Sequence, residues 1–555
     1  MRDRIAVENP PSPGGAKMSA PGSDDEAVRN RLLRRADWRF LLPSPSPAKA
    51  ICFSGGLLAD AVKAVSEVTV DPEYGLGGDC DLAVAVDPDP TTLRAAWAAL
   101  RPGGSCYTEW FSFRARSRST IGSRLQAAGF DDVTYYCVVT GPTQEGKGLW
   151  IPLEPLGALG YFLRHVSTAK RLKSLVTWIL TQMRWHLASF VPVLLPRPVC
   201  AIARKPATAG ACSSRRCPDT TIGRGPLTQL ILDRWREWDF GPTPIRLSWL
   251  LWADGLRSRS KVVAFVFPDS DQRPRLTIKM PRIPESVPGL ANEAATLKML
   301  AKRPEVARGL AKLLFLERLT GTVMLGQTVL NGQRLDSVIH YGNYRTVALA
   351  ATAWLVSLAG HVSPSPVTGW WDRLAGSVLD RFEFAFGSVF DRRMFEDTRN
   401  IVRTLGALPI VCEHRDFNQF NILQSPSREL AVLDWESSVL EGLPALDLMY
   451  FLTCVPVFSL NASSDPDDVR RAYRASVDPS TAAGAVTAEC LDVYARRLGL
   501  DPSNFHALRV LVWLIHSCSE YEKLVFDLGR RPEPEVLKRG VFVTLWEEEL
   551  RSSGR

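Results

Sequence analysis

Residues 410–434 read IVCEHRDFNQFNILQSPSRELAVLD, and this stretch limits the fold more than any other part of the chain. Apolar runs on either side of "HRDFNQFN" call for burial and carry His414, Asp416, Asn418 and Asn421 inward with them. Polar groups taken out of water need partners. The stretch is therefore either a buried polar turn that the fold requires or a catalytic loop.

His414, Asp416 and Asn421 form H-x-D-x-x-x-x-N. Four residues between Asp416 and Asn421 are enough for the loop to turn back and face both side chains into one site. Thirteen residues past Asn421, the apolar run LAVL ends in Asp434, which delivers a carboxylate to the end of a hairpin. Phosphoryl transfer from a nucleotide needs a carboxylate for the attacking hydroxyl, hard oxygen ligands for Mg²⁺, and a cation on the phosphates. Asp416 suits the first role, with Asn421 and Asp434 as metal ligands. Asp447, which opens the apolar run LDLMYFL, reads as a structural carboxylate fixing the loop, and His414 as a second support. Asn418 is left without a role.

"HRDFNQFNIL", "LAVLDWE" and "GLPALDL" resemble the catalytic loop, metal motif and following helix of the aminoglycoside phosphotransferase and choline kinase-like family, relatives of the protein kinases. The resemblance spans about residues 245–530. Arg415 stands where that family usually has Gly. The resemblance implies an α+β bilobal, protein-kinase-like fold that binds ATP and Mg²⁺ and phosphorylates a hydroxyl of a sugar, aminoglycoside or amino alcohol. It also implies a strand lysine, found as Lys279 in PRLTIKMPR, and a helix glutamate, found as Glu293 in LANEAATLKML. Leu290, Glu293, Leu297 and Leu300 share one helical face, so Glu293 points inward and requires a partner such as Lys279. MLGQTVLNGQRLD resembles the hinge. The turn around Gly255 resembles the phosphate cover, with a single glycine.

The first half alternates strand and helix patterns: KAICFSG, LLADAVKAV, EVTVDP, CDLAVAV, PTTLRAAWAAL, SCYTEWF. Such alternation predicts an α/β Rossmann-like open sheet. LRPGGSCYTEW and LQAAGFDDVTYYCVV resemble the late strands of class I methyltransferases. Gly55 and Gly56 would then approach S-adenosylmethionine and Asp71 its ribose. Only nine residues separate Asp71 from Asp81, where a helix and a strand normally intervene. A degenerate, structural or partner-binding domain is thus read ahead of an active methyltransferase.

The expected organisation is a disordered tail at 1–28, the methyltransferase-like domain at 29–205, a linker at 206–226 rich in small and breaker residues, and the kinase-like domain at 227–555. The net charge of +8 is spread among apolar residues, a solvated surface that gives slight support to anionic partners such as nucleotides; no nucleic-acid partner is expected. Eleven irregularly spaced cysteines, several inside apolar runs, fit a reducing cytoplasm. The apolar stretch 175–196 carries Arg184, His186 and Pro192, which argue against a membrane span. The alternatives to a small-molecule kinase are a bifunctional methyltransferase-kinase and a non-catalytic nucleotide-binding scaffold.

Overall fold

The computed structural model describes residues 24–73, 77–111, 118–140, 148–153, 157–165, 199–207, 225–253, 257, 259–269, 271, 273–360, 362, 364–460 and 465–553. The expected tail up to residue 23, the 175–196 stretch and most of the expected linker lie outside these residues. Among the described residues no helix is long and apolar enough to cross a membrane.

The chain divides into two compact units. One holds Val28–Leu290 with Leu313–Val329, the other Ala291–Lys312 with Leu330–Arg555.

The first unit is built on one twelve-stranded mixed sheet. Its strands are β1 (Lys49–Cys52), β2 (Val68–Val70), β3 (Cys80–Val86), β4 (Leu100–Trp110), β5 (Asp131–Thr140), β6 (Gly148–Pro152), β7 (Val199–Arg204), β8 (Leu247–Ala253), β9 (Lys261–Pro268), β10 (Leu276–Pro281), β11 (Leu313–Leu319) and β12 (Thr322–Thr328). Their order is β11-β12-β10-β9-β8-β6-β5-β7-β4-β3-β1-β2. Among the described residues, β2, β1, β3 and β4 are the parallel neighbours. The run CDLAVAV in β3 is apolar almost throughout, as befits a parallel strand covered on both faces. Helices α1 (Asp24–Arg35), α2 (Leu57–Val65), α3 (Pro90–Ala99), α4 (Arg118–Ala127) and α5 (Gly157–His165) accompany these strands. Helix α3 starts where Asp89 accepts a hydrogen bond from the Thr92 amide at 2.7 Å and Pro90 takes the first position. The Arg101–Gly104 turn then bulges the β3–β4 register, and a Cβ on Gly104 would sit 2.9 Å from the Arg101 carbonyl oxygen.

The boundary expected at 206–226 does not divide this sheet. Strands β6 and β8 pair antiparallel, with Leu149 opposite Trp252 and Trp150 opposite Leu251. One apolar core runs through both sides of that seam. It includes Trp38, Leu82 and Tyr107 from the first half and Ile231, Trp235, Ile278 and Met324 from the second. The strands expected to form a separate small kinase lobe thus continue the amino-terminal sheet. Apolar faces that share a core gain more by burying one another than by standing in water.

The second unit is mainly helical, with short strands β13 (Gln333–Arg334), β14 (Pro364–Ser365), β15 (Leu408–Pro409), β16 (Val411–Glu413), β17 (Ile422–Gln424), β18 (Leu430–Val432) and β19 (Val439–Gly442). Pairs β16–β19 and β17–β18 are antiparallel and frame the HRDFNQFN loop.

Candidate active site

The loop leaves β16 at Glu413 and re-enters the structure at β17. His414 is fully buried and fixes the start. Its Nε2–H donates to the Leu433 carbonyl at 2.8 Å, and its Nδ1 accepts from the Asp416 amide at 3.2 Å. Together the two bonds select one neutral tautomer. They also tie the loop to the residue just before Asp434. Leu433 N donates to the Asn421 carbonyl at 2.8 Å, so the loop's last residue and the end of β18 lie side by side. Asp434 itself adopts a left-handed backbone, φ 65° and ψ 65°, which turns the chain out of the hairpin.

Asp447 sits in the first turn of the helix Leu446–Cys454. Its carboxylate accepts from the His414 amide at 2.6 Å and from the Arg415 amide at 2.8 Å. Arg415 has φ 64°, a region that L-residues reach only at a cost. Asp447 therefore braces a strained turn. Burial, then the neighbouring Glu413 carboxylate, pushes its pKa up to about 7. Glu413, 2% exposed, accepts from Arg415 Nε at 3.0 Å and from the Leu443 amide.

Asp416 is held at both oxygens. Oδ1 accepts from Asn418 Nδ2 at 2.6 Å and Oδ2 from Asn421 Nδ2 at 2.7 Å. Burial, then the Asp434 carboxylate, lifts its pKa to about 7, while Lys523 and the Asn421 bond pull it down. An acid near neutrality is poised to take a proton at physiological pH. Asn418 is the residue whose role sequence reasoning left open. Its amide nitrogen orients Asp416 and its oxygen accepts from the Phe420 amide at 2.9 Å. Its place inside the loop, two residues past Asp416, was the available signal.

The Asn421 amide nitrogen also donates to the Asp416 carbonyl at 3.0 Å, so its side-chain oxygen is turned away from Asp416. An amide oxygen and the nearby Asp434 carboxylate make a hard-oxygen pair. Among the described residues no three His, Cys, Asp or Glu side chains gather as a metal-binding set. A two-ligand protein set still suits Mg²⁺, which takes one or two side chains and completes its shell with phosphate oxygens and water.

The helix Phe505–Leu528 supplies further groups that sequence reasoning did not assign. His516 stacks on Tyr450 at 3.8 Å, and Tyr450 in turn bonds Asn418. Burial holds the His516 pKa down at about 3, so the ring is neutral. Lys523, two turns further on, is exposed and acts on Asp416 through its charge.

Lys279 lies in β10, 7% exposed, and Glu293 on the helix Val287–Leu300, 1% exposed. They belong to different compact units. Gly255 lies outside the described residues. Gly55 and Gly56 follow β1, with Gly56 at φ 70°. Asp71 follows β2 and accepts from the Glu73 amide at 2.9 Å in an exposed turn.

No protein-family model matches the chain, and no curated protein matches it. Solved structures similar to it include a thermostable mutant of the aminoglycoside phosphotransferase APH(4)-Ia, at 12% identity and TM-score 0.36, covering 58% of this chain and 98% of that one. Choline kinase LicA from Streptococcus pneumoniae is similar at 12% identity and TM-score 0.34, covering 59% and 99%. Aminoglycoside phosphotransferase APH(3'')-Id from Streptomyces rimosus, in complex with ADP and streptomycin, is similar at 12% identity and TM-score 0.31, covering 52% and 97%. At scores this low the likeness carries no inference about this chain.

Proposed function

We propose that the chain is a phosphotransferase that moves the terminal phosphoryl group of ATP to a hydroxyl of a small molecule. The observation that carries this reading is the Asp416 carboxylate, held by two side-chain amides with its pKa raised to about 7. Asp416 accepts the proton of the acceptor hydroxyl as its oxygen bonds to the γ-phosphorus. The bond from that phosphorus to the bridging oxygen breaks, and ADP leaves.

Asn421 and Asp434 would hold Mg²⁺ by their oxygens. When bound, the ion neutralises charge building on the phosphate oxygens. Lys279 is assigned to the phosphates with Glu293 as its acidic partner, and Gly255 to the turn covering them. His414 and Asp447 are assigned to holding the loop, on their bonds to Leu433 and to the His414 and Arg415 amides. The acceptor classes to screen are sugars, aminoglycosides and amino alcohols.

The test is ATP consumption against a panel of hydroxylated metabolites, with Asp416→Asn beside the wild type. The substituted chain is expected to lose transfer by at least about a hundredfold, the usual worth of a general base, while still binding Mg-ATP. Full activity in Asp416→Asn would refute the assignment of the base.

A further inference from the structure

The segment before β1 contains a line of polar residues that the proposed reaction does not use, each of them anchored. Arg35 makes two bonds to the Glu109 carboxylate, at 2.9 and 2.7 Å. Trp38 stacks on Tyr107 at 4.0 Å. Arg39 donates to the Leu33 carbonyl at 2.8 Å and to the Arg282 carbonyl at 2.9 Å. Between them, Asp37 receives Arg282 through two bonds, Nε at 2.9 Å and Nη2 at 2.8 Å, with side-chain exposures of 1% and 0%.

Arg282 stands three residues past Lys279, directly after β10. Its remaining nitrogen, Nη1, donates at 2.9 Å to the carbonyl of Arg257, in the turn between β8 and β9. Ser286 holds the same turn by donating to the Arg259 carbonyl at 3.0 Å. One guanidinium thus joins three places: the amino-terminal segment, the end of the Lys279 strand, and Arg257 on the way from β8 to β9.

A buried ion pair is weak evidence for stability, because well-packed apolar residues often serve a core as well or better. What a planar, two-pronged carboxylate–guanidinium pair does supply is direction. Here that direction aims Nη1 at the Arg257 carbonyl.

We propose that Asp37 is a positioning residue for nucleotide binding, acting through Arg282 on the end of the strand that bears Lys279. The inference rests on the phosphotransferase reading. It makes the amino-terminal segment part of the nucleotide-binding apparatus rather than a neighbour of it.

The test uses the full chain and Mg-ADP titration calorimetry, which needs no acceptor. Asp37→Leu/Arg282→Met removes both charges and the Arg257 bond while keeping apolar volume. Arg39, 3.9 Å from Asp37, keeps its backbone carbonyl acceptors, so the variant should still unfold in one cooperative transition, and its Kd for Mg-ADP should rise about tenfold. Arg282→Lys keeps the charge but loses the planar fork, and should weaken binding severalfold. If the double variant does not fold, Arg282→Lys decides. With ATP and an accepted alcohol, KM for ATP should rise while kcat stays within about twofold, which a loss of folded protein would not produce. A folded double variant, or Arg282→Lys, with an unchanged Kd would overturn the inference and leave the phosphotransferase reading standing. A wild type that binds neither Mg-ADP nor Mg-ATP would overturn that reading and this inference with it.

Discussion

Arg415→Gly sets two effects at one residue against each other. Arg415 holds φ at 64°, where a side chain costs about 1–2 kcal/mol, so glycine relieves strain. Part of that gain is lost because glycine leaves the unfolded chain freer, by about 0.5–1 kcal/mol. Against the remainder stands Glu413, 2% exposed, whose Oε2 receives Arg415 Nε at 3.0 Å. Leaving one member of a buried pair uncompensated costs about 3–5 kcal/mol. Arg415 is 23% exposed, so water reaches its end of the pair, and we reduce the figure to about 2–3 kcal/mol. The net expectation is a loss of about 0.5–3 kcal/mol, read as a lower urea midpoint at constant m-value. The pH dependence carries a sign. Arg415 lowers the raised pKa of Asp447, so its removal raises that pKa further. A carboxyl whose folded pKa exceeds its unfolded value gives stability that is complete below the unfolded value and lost as pH rises through the folded one. The deficit of Arg415→Gly should therefore be larger at pH 8 than at pH 5. Adding Glu413→Gln should recover most of it, because the neutral amide can still accept from Leu443. An Arg415→Gly chain as stable as the wild type at both pH values would refute the reasoning, as would a double variant that recovers nothing.

For Asp416, the rate should rise tenfold per pH unit below about pH 7 and level off above it, since only the ionised form accepts the proton; a flat profile from pH 5.5 to 8.5 would count against it. The same shift, about three units, contributes stability that is full below about pH 4 and lost by about pH 7, on the order of 2–4 kcal/mol given the solvent that Asp416 retains. Asp416→Asn should accordingly show less loss of stability than the wild type between pH 5 and 8. Asn418→Ala removes the donor to Asp416 Oδ1 and should lower kcat more than it raises KM for ATP, and an unchanged kcat would deny Asn418 its orienting role.

What could be read from the sequence is what lies close along the chain. The Asp416–Asn421 spacing sits within one loop, and the inward face of Leu290, Glu293, Leu297 and Leu300 follows from helical period alone; all four are at most 2% exposed. Strand–helix alternation likewise placed β1 to β5 and their helices. The seam was not legible. GLWIP and LSWLLWA are apolar runs whose partner is about a hundred residues away, and no local pattern says which edge a strand will join. A breaker-rich segment between them suggested separate domains, yet breaker residues do not say which strands on either side will pair. The same limit hid Asp37 and Arg282, 245 residues apart. Each alone is an ordinary surface-type residue, and only the fold shows that neither can be buried without the other. Both features join the first half of the chain to the second, one through the β6–β8 pairing and one through Asp37 and Arg282. The residues assigned to chemistry were visible because the proposed chemistry fixes their spacing. The residues that hold the strands together were not, because a shared core fixes only their burial.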